Sequence, residues 1–342
     1  MDGKASQIGY QRLREIMTEA IIAIKSEVPS DLDLDSDNDG NIDGLTIIIQ
    51  GTPGVGWAAG PTWPHQASAS SITETINGKR VREYNLMNEV SGKSITIHEF
   101  AHILGSPDLY THPNNNETAV GNWDAMGDNA ATVEFLMHLR HKYFNWIDTI
   151  PVITQSGTYT LNPTTSATNN VYRINSPYRY CSGNEYFLVE YRKKNSGKFN
   201  ANYSQNNGLL ITRINSNHRG NMTATKGNYE VYIYRPNGTQ TTNGTIAEAA
   251  YSNEYQRTAI NENTNPNGFL KNGSDGGLDI SNIKINPDST ISFTVNIIVP
   301  TSPTELTFST VTVAINFTGA KGGSTGFRVK KIILVICKPI KN

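Results

Sequence analysis

His98-Glu99-Phe100-Ala101-His102, followed by Gly105 and Asp108, is the stretch of this 342-residue sequence best equipped for chemistry. Histidines four apart on a helix project from one face about a turn apart, so both imidazoles can reach one Zn²⁺. Glu99 lies beside the first histidine and can take a proton from a zinc-bound water as general base. Gly105 lets the chain leave the helix and turn back, bringing Asp108 round as a third ligand. Three protein ligands leave one position open, the arrangement of a catalytic rather than a structural zinc. The metal then lowers the pKa of its water toward about 7 and polarises a carbonyl. The bland alternative is an amphipathic helix whose histidines sit on its polar edge, and the fitting Gly and Asp argue against it. Glu134 is the rival for the third position, although a Glu in a first helical turn is more often solvated.

A second constellation is acidic. Asp35, Asp37 and Asp39 alternate, Gly40 allows a tight turn, and Asp43 follows. Oxygen ligands at every second position wrap a hard cation, as in the first half of an EF-hand loop. The twelfth position from Asp35 is Thr46 rather than Glu, so the EF-hand is incomplete. Four carboxylates this close repel one another unless a cation neutralises them, which favours calcium over a solvated charge run. Asp33 fits either as a further ligand or as a bystander.

The pattern HExxHxxGxxD resembles the metzincin clan of zinc peptidases, with Asp in place of the usual third His. That clan has a methionine turn below the metal, and Trp123-Asp124-Ala125-Met126-Gly127 is similar to it. More narrowly, the chain resembles the M6 family, the immune inhibitor A-like metallopeptidases. WPHQ at 63–66, HEFAHILGSPDLY at 98–110 and GNWDAMG at 121–127 carry the resemblance, with EYFLVEYRKK and GLLITRIN looking like the family's later β segment. The likeness covers roughly residues 10–300. It implies zinc held by His98, His102 and Asp108, Glu99 as catalytic base, Met126 as the methionine of the turn, and calcium in the acidic loop. Ala101 stands where the family usually has Gly, and no pro-segment precedes residue 10.

Three other patterns are decoys. Gly54 to Ala59 matches GxGxxA, but Pro53 precedes it and Gly60, Pro61 and Pro64 follow, so a loop is expected rather than a dinucleotide site. Gly322 to Gly326 matches GxSxG, yet no histidine follows His218, so the order Ser, acid, His is impossible. His138 and His141 are three apart on an expected helix and read as edge histidines. His65 and His112 read as loop residues, His65 with a possible place in the cleft because it falls within WPHQ.

The elements that must position these groups follow from periodicity. Helices are expected over 10–27, 94–104 and 131–146, and a buried strand over 45–50. From Pro151 the texture changes to short alternating strands: GTYTLN, NVYRIN, EYFLVEYR, GLLITRIN, YEVYIYR, LDISNIKI and TISFTVNI. The expected fold class is α+β: a metzincin-like catalytic domain over 1–148, a β-rich, sandwich-like domain over 149–299, and a linker with an unassigned tail over 300–342.

Composition narrows the function. Lys plus Arg is 29 and Asp plus Glu is 30, a net charge of -1, which lacks the basic footprint of a nucleic-acid binder. The longest apolar run, Ile332 to Cys337, is too short to span a bilayer. Charged residues make up 17%, and the Asn-, Thr-, Ser- and Gly-rich remainder leans toward a secreted β-rich protein. The N-terminus shows no basic segment followed by an apolar core, so no leader is visible. Cys181 and Cys337 form no CxxC and allow one disulfide or two free thiols. The leading expectation is a secreted zinc endopeptidase acting on protein or peptide substrates. Its rival is an inactive zincin scaffold that binds a surface through its β-rich half, and Glu99, which an inactive zincin has no use for, speaks against it.

Overall fold

Leu13, Met17 and Ile21 recur every four residues, and α1 (Gly3–Ile24) buries all three in one apolar cluster. The computed structural model describes residues 3–51, 62–111, 117–127, 134–178, 184–194, 206–225 and 227–298, which all belong to one compact unit, Met1–Ile298. The expected tail over 300–342 and both cysteines lie outside the described residues.

Facing α1 is a three-stranded sheet of β1 (Thr46–Ile49), β2 (His65–Ser68) and β5 (Glu83–Asn88), with the small hairpin β3 (Thr75–Ile76) and β4 (Lys79–Arg80) between β2 and β5 in sequence. The central strand β5 pairs parallel with β1 and antiparallel with β2. The run expected as a buried strand over 45–50 is a strand, but none of β1 is fully buried. Ile47 and Ile49 pack toward the α1 cluster, while Ile48 is 67% exposed. The reason is position: β1 is an edge strand, and only one of its faces meets a packed layer.

On the sheet's other side α2 (Lys93–Ile103) packs against β5 and β2. The helix expected over 131–146 shortens, among the described residues, to α3 (Met137–Lys142). Leu136 is extended, at φ -62° and ψ 149°, and its N–H donates to Asp124 at 2.6 Å. Glu134 likewise gives its carbonyl to the Ala125 N–H at 2.8 Å, so these backbone groups serve a turn elsewhere instead of a helix.

The later chain forms two sheets. Five strands run in the order β11 (Val231–Ile233), β10 (Gly208–Asn215), β9 (Glu185–Arg192), β8 (Val171–Asn175) and β6 (Val152–Ile153). Three more run β12 (Ile280–Ile285), β13 (Ile291–Val295) and β7 (Gly157–Leu161). Every residue of β10 is buried, and all of β9 but Tyr186. Strands covered on both faces need neighbours on both: Glu190 and Arg192 of β9 reach Met137 and Trp123 on one side, while Phe187 lies against Gly276 on the other. Accordingly the larger apolar core unites Ala101, Met126 and Leu139 with Phe187, Ile211 and Phe293, on both sides of residue 148. With helices early and strands throughout, the fold is α+β.

Candidate metal centre

The last turn of α2 closes with a paired set of bonds: Gly105 N–H to the His102 carbonyl at 2.9 Å and Ser106 N–H to the Ala101 carbonyl at 3.0 Å. Gly105 sits at φ +91°, a left-handed conformation that side chains resist, and so lets the chain reverse. The same turn orients the second histidine, because the His102 Nδ1–H meets the Ser106 carbonyl at 2.8 Å. His98 is held in the same way by the Ala125 carbonyl, also at 2.8 Å from Nδ1. A ring whose Nδ1 carries the proton presents a bare lone pair at Nε2.

Both lone pairs point at one carboxylate. Asp108 Oδ1 lies 3.2 Å from Nε2 of His98 and 3.2 Å from Nε2 of His102. It is buried, yet it makes no well-formed hydrogen bond to either ring. A buried acceptor facing two bare acceptors is unfavourable by itself and is the donor set that a tetrahedral N/O-binding cation requires. His98, His102 and Asp108 therefore fit a metal ion. Protonation is the other way to balance the metal-free site: imidazolium rings at His98 and His102 would hold Asp108 far below the usual carboxylate range, against burial, which works to raise it. In that protonated form Asp108 and the Ala125 carbonyl carry His98 above its ordinary value, although burial works to lower it.

Glu99 is buried on the same helix, and burial raises its pKa against the pull of His98 and His102. Tyr110 stacks on His98, with ring centroids 6.2 Å apart and planes at 19°, and burial beside Asp108 keeps its phenol protonated. Its role was not foreseen, although it ends the motif HEFAHILGSPDLY.

Met126 is fully buried, and its carbonyl accepts the Leu109 N–H (2.7 Å) and the Tyr110 N–H (3.0 Å), so this turn clasps the loop that carries Asp108. Asp124 builds the turn: one oxygen accepts the Met126 N–H at 2.8 Å, the other the Leu136 N–H at 2.6 Å. Burial pushes the Asp124 carboxyl up to about 6, against those two N–H donors.

Glu134 is not in the ligand group. It is neither a rival ligand nor a solvated helix-start residue, for it pairs with Arg140 at 2.9 Å and Arg192 at 3.5 Å. His138 is buried on Glu230 at 2.8 Å, and His141 Nδ1 meets the Ile147 carbonyl at 2.8 Å, so both are structural. His65 lies on β2 with Nδ1 on the Trp63 carbonyl at 2.6 Å. His112 and the patterns at 54–59 and 322–326 lie outside the described residues.

In the acidic loop, Asp35, Asp37 and Asp39 bring carboxylate oxygens within 4.8 Å of one another. Asp43 stands outside that group, accepting the Ser36 N–H (3.0 Å) and hydroxyl (2.6 Å). Asp33 caps the Asp35 N–H at 3.1 Å. Lys79 sits 2.6 Å from Asp35 and holds that carboxyl below its ordinary range.

No protein-family model matches this chain, and no curated protein sequence does.

Proposed function

We propose that the protein is a hydrolase built on a catalytic zinc, and more narrowly a zinc endopeptidase that cuts internal peptide bonds of protein substrates. The observation that carries the reading is the convergence of His98 Nε2, His102 Nε2 and Asp108 Oδ1, with both far ring nitrogens committed to backbone carbonyls. Zinc held there supplies Lewis-acid activation of water and of the scissile carbonyl. The protein's own groups do the rest. Glu99 sits one residue from a ligand without belonging to the ligand group, and its raised pKa suits a base that accepts the water's proton and returns it to the departing amine. Tyr110, protonated throughout the working range, offers a hydroxyl donor beside the same centre.

The likeness to the M6 family and to metzincins supports the peptidase class, the zincin form of the first 148 residues and secretion as the destination. The sandwich-like reading of the later sheets belongs with it. Calcium in the loop of Asp35, Asp37, Asp39 and Asp43 is proposed as a structural ion. Among the described residues no helix is long and apolar enough to cross a membrane.

The test is zinc content and casein cleavage measured together. Stoichiometric zinc, lost with the activity on chelation and restored with it on adding zinc back, is the expected result. Zinc retained without any cleavage of protein or peptide would leave the scaffold reading.

A further inference from the structure

Asp108 sits in an irregular loop, and that loop is gripped by a segment more than a hundred residues later. Asn221 is fully buried, and its backbone N–H donates to the Asp108 carbonyl at 2.8 Å. Its side-chain amide donates to the Leu109 carbonyl and to the Val231 carbonyl, each at 2.9 Å, and its Oδ1 accepts the Val231 N–H at 3.1 Å. One side chain thus replaces a rung of backbone pairing between β11 and the Asp108 loop. Arg219 donates to the Gly105 carbonyl at 2.8 Å. Gly220, at φ +72°, passes so close that a Cβ there would lie 2.8 Å from the Asp108 carbonyl oxygen and 2.8 Å from Pro107. Its N–H is bonded to Glu230, which also takes His138 and Tyr143 at 2.8 Å and Lys142 at 2.6 Å.

We propose that Arg219-Gly220-Asn221 is a positioning strap for the third metal ligand, with Asn221 its principal residue. The inference rests on the reading of His98, His102 and Asp108 as a zinc site and deepens it: the β-rich half sets the geometry of the metal rather than only presenting substrate. A carboxylate at the end of a loop reaches both imidazole nitrogens only if the backbone behind it is fixed. The Met126 carbonyl fixes the residues after Asp108, the Asn221 N–H fixes Asp108 itself, and the Asn221 side chain, tied to Leu109 and Val231, holds that N–H in place. Outer partners of metal ligands typically govern affinity by about 10–100-fold.

The experiment compares the full-length parent with Asn221→Ala, Arg219→Ala and Phe293→Leu, the last a core change in β13 away from the strap. Zinc affinity is read by competition with a chromophoric chelator, the geometry of bound cobalt by its visible spectrum, and stability by thermal melting. Asn221→Ala should bind zinc about 10–100-fold more weakly, with an altered cobalt spectrum. Arg219→Ala should show a smaller loss in the same direction, and Phe293→Leu should melt lower with parental affinity and spectrum. Parental affinity in Asn221→Ala overturns the strap, as does an equal loss in Phe293→Leu, which would mark a general destabilisation. Should Asn221→Ala not fold, Arg219→Ala decides, because its side chain is exposed and unchanged affinity there rejects the proposal. A parent whose zinc survives His98→Ala removes the underlying zinc reading instead, an outcome distinct from the others.

Discussion

Among the described residues, two groups of side chains lie close enough to share a cation, and they differ in what else their ligand atoms touch. At His98, His102 and Asp108 the outer atoms are committed to the scaffold, while the inner ones face each other with no donor between them. In the acidic loop the carboxylates are already occupied by their own chain. Asp35 accepts the N–H groups of Asp39 (2.9 Å) and Gly40 (2.9 Å) as well as Lys79, and Asp39 accepts the Asn41 N–H at 2.8 Å. Residue spacing shows which groups can meet, whereas their other partners decide whether meeting leaves anything for a metal to satisfy. The first group leaves its inner acceptors unmatched; the second is an acidic turn whose carboxylates its own N–H groups and a lysine already serve.

The largest effect expected from this contrast is on turnover. Glu99→Ala should retain zinc and lose 10²–10⁴-fold in peptide hydrolysis, the usual range for a missing general base. Hydrolysis near the parental rate in the zinc-loaded variant would remove Glu99 from the mechanism. Next comes the third ligand. Asp108→Ala should weaken zinc binding by more than the 10–100-fold typical of an outer partner. Glu134→Ala should leave zinc affinity alone and instead cost about 1–3 kcal/mol of stability, because Arg140 and Arg192 lose a shared acceptor. Metal content and melting of the two variants check this, and the reverse pattern would transfer the ligand role to Glu134.

Much of the first group was legible because its geometry is local. Helical spacing, a glycine at the helix end and an aspartate three residues on are properties of neighbours in sequence, and α2 at Lys93–Ile103 falls within a residue of the expected 94–104. The strands EYFLVEYR and GLLITRIN were legible to the residue from their aromatic and aliphatic alternation, but their two-sided burial was not, because it also covers Glu185, Glu190, Arg192 and Arg213, each with a partner far off in sequence. Strands β2 and β5 were not. Gln66, Asn85 and Asn88 interrupt any apolar alternation, and Asn85 is fully buried. The start of α3 was misjudged because Leu136 N–H serves Asp124, a bond no periodicity encodes. The grip of Asn221 on the Asp108 loop was invisible for the same reason, since its partner lies 112 residues away.

Acid sharpens the contrast between buried and exposed carboxylates. Burial works to raise Glu230, but His138, Lys142 and the Gly220 N–H outweigh it and hold the carboxyl at about 2, against an ordinary 4.5. A folded-state value below the unfolded one gives stability that is present above pH 4.5 and is lost as the pH falls toward about 2. A difference of that size corresponds to about 3 kcal/mol. Denaturant melts of metal-free protein between pH 5 and pH 2.5 should therefore fall more steeply for the parent than for Glu230→Gln. Parallel pH dependence would mean that Glu230 is not held ionised by its neighbours.

The smallest effect belongs to the acidic loop, where the expected role of calcium is to stabilise. The loop joins the segment after α1 to β1, and none of its carboxylates belongs to the group of His98, His102 and Asp108. Lys79 already offsets part of the repulsion by its contact with Asp35, so calcium must work beside or displace an ammonium. A ligand that binds only the folded state stabilises by RT ln(1 + [L]/Kd), about 2.7 kcal/mol at a hundred times Kd. For a unit of this size that is a rise of about 5–10 °C, since large domains shift by only about 2–4 °C per kcal/mol. Lys79→Met removes the competing cation. If calcium binds at this loop, its addition to zinc-loaded protein should raise the melting temperature more in Lys79→Met than in the parent, and not at all in Asp37→Ala. A melt indifferent to calcium in both the parent and Lys79→Met would make the loop a turn stabilised by its own N–H groups and a lysine. The zinc reading would stand even so, because its ligand atoms share no residue with the loop.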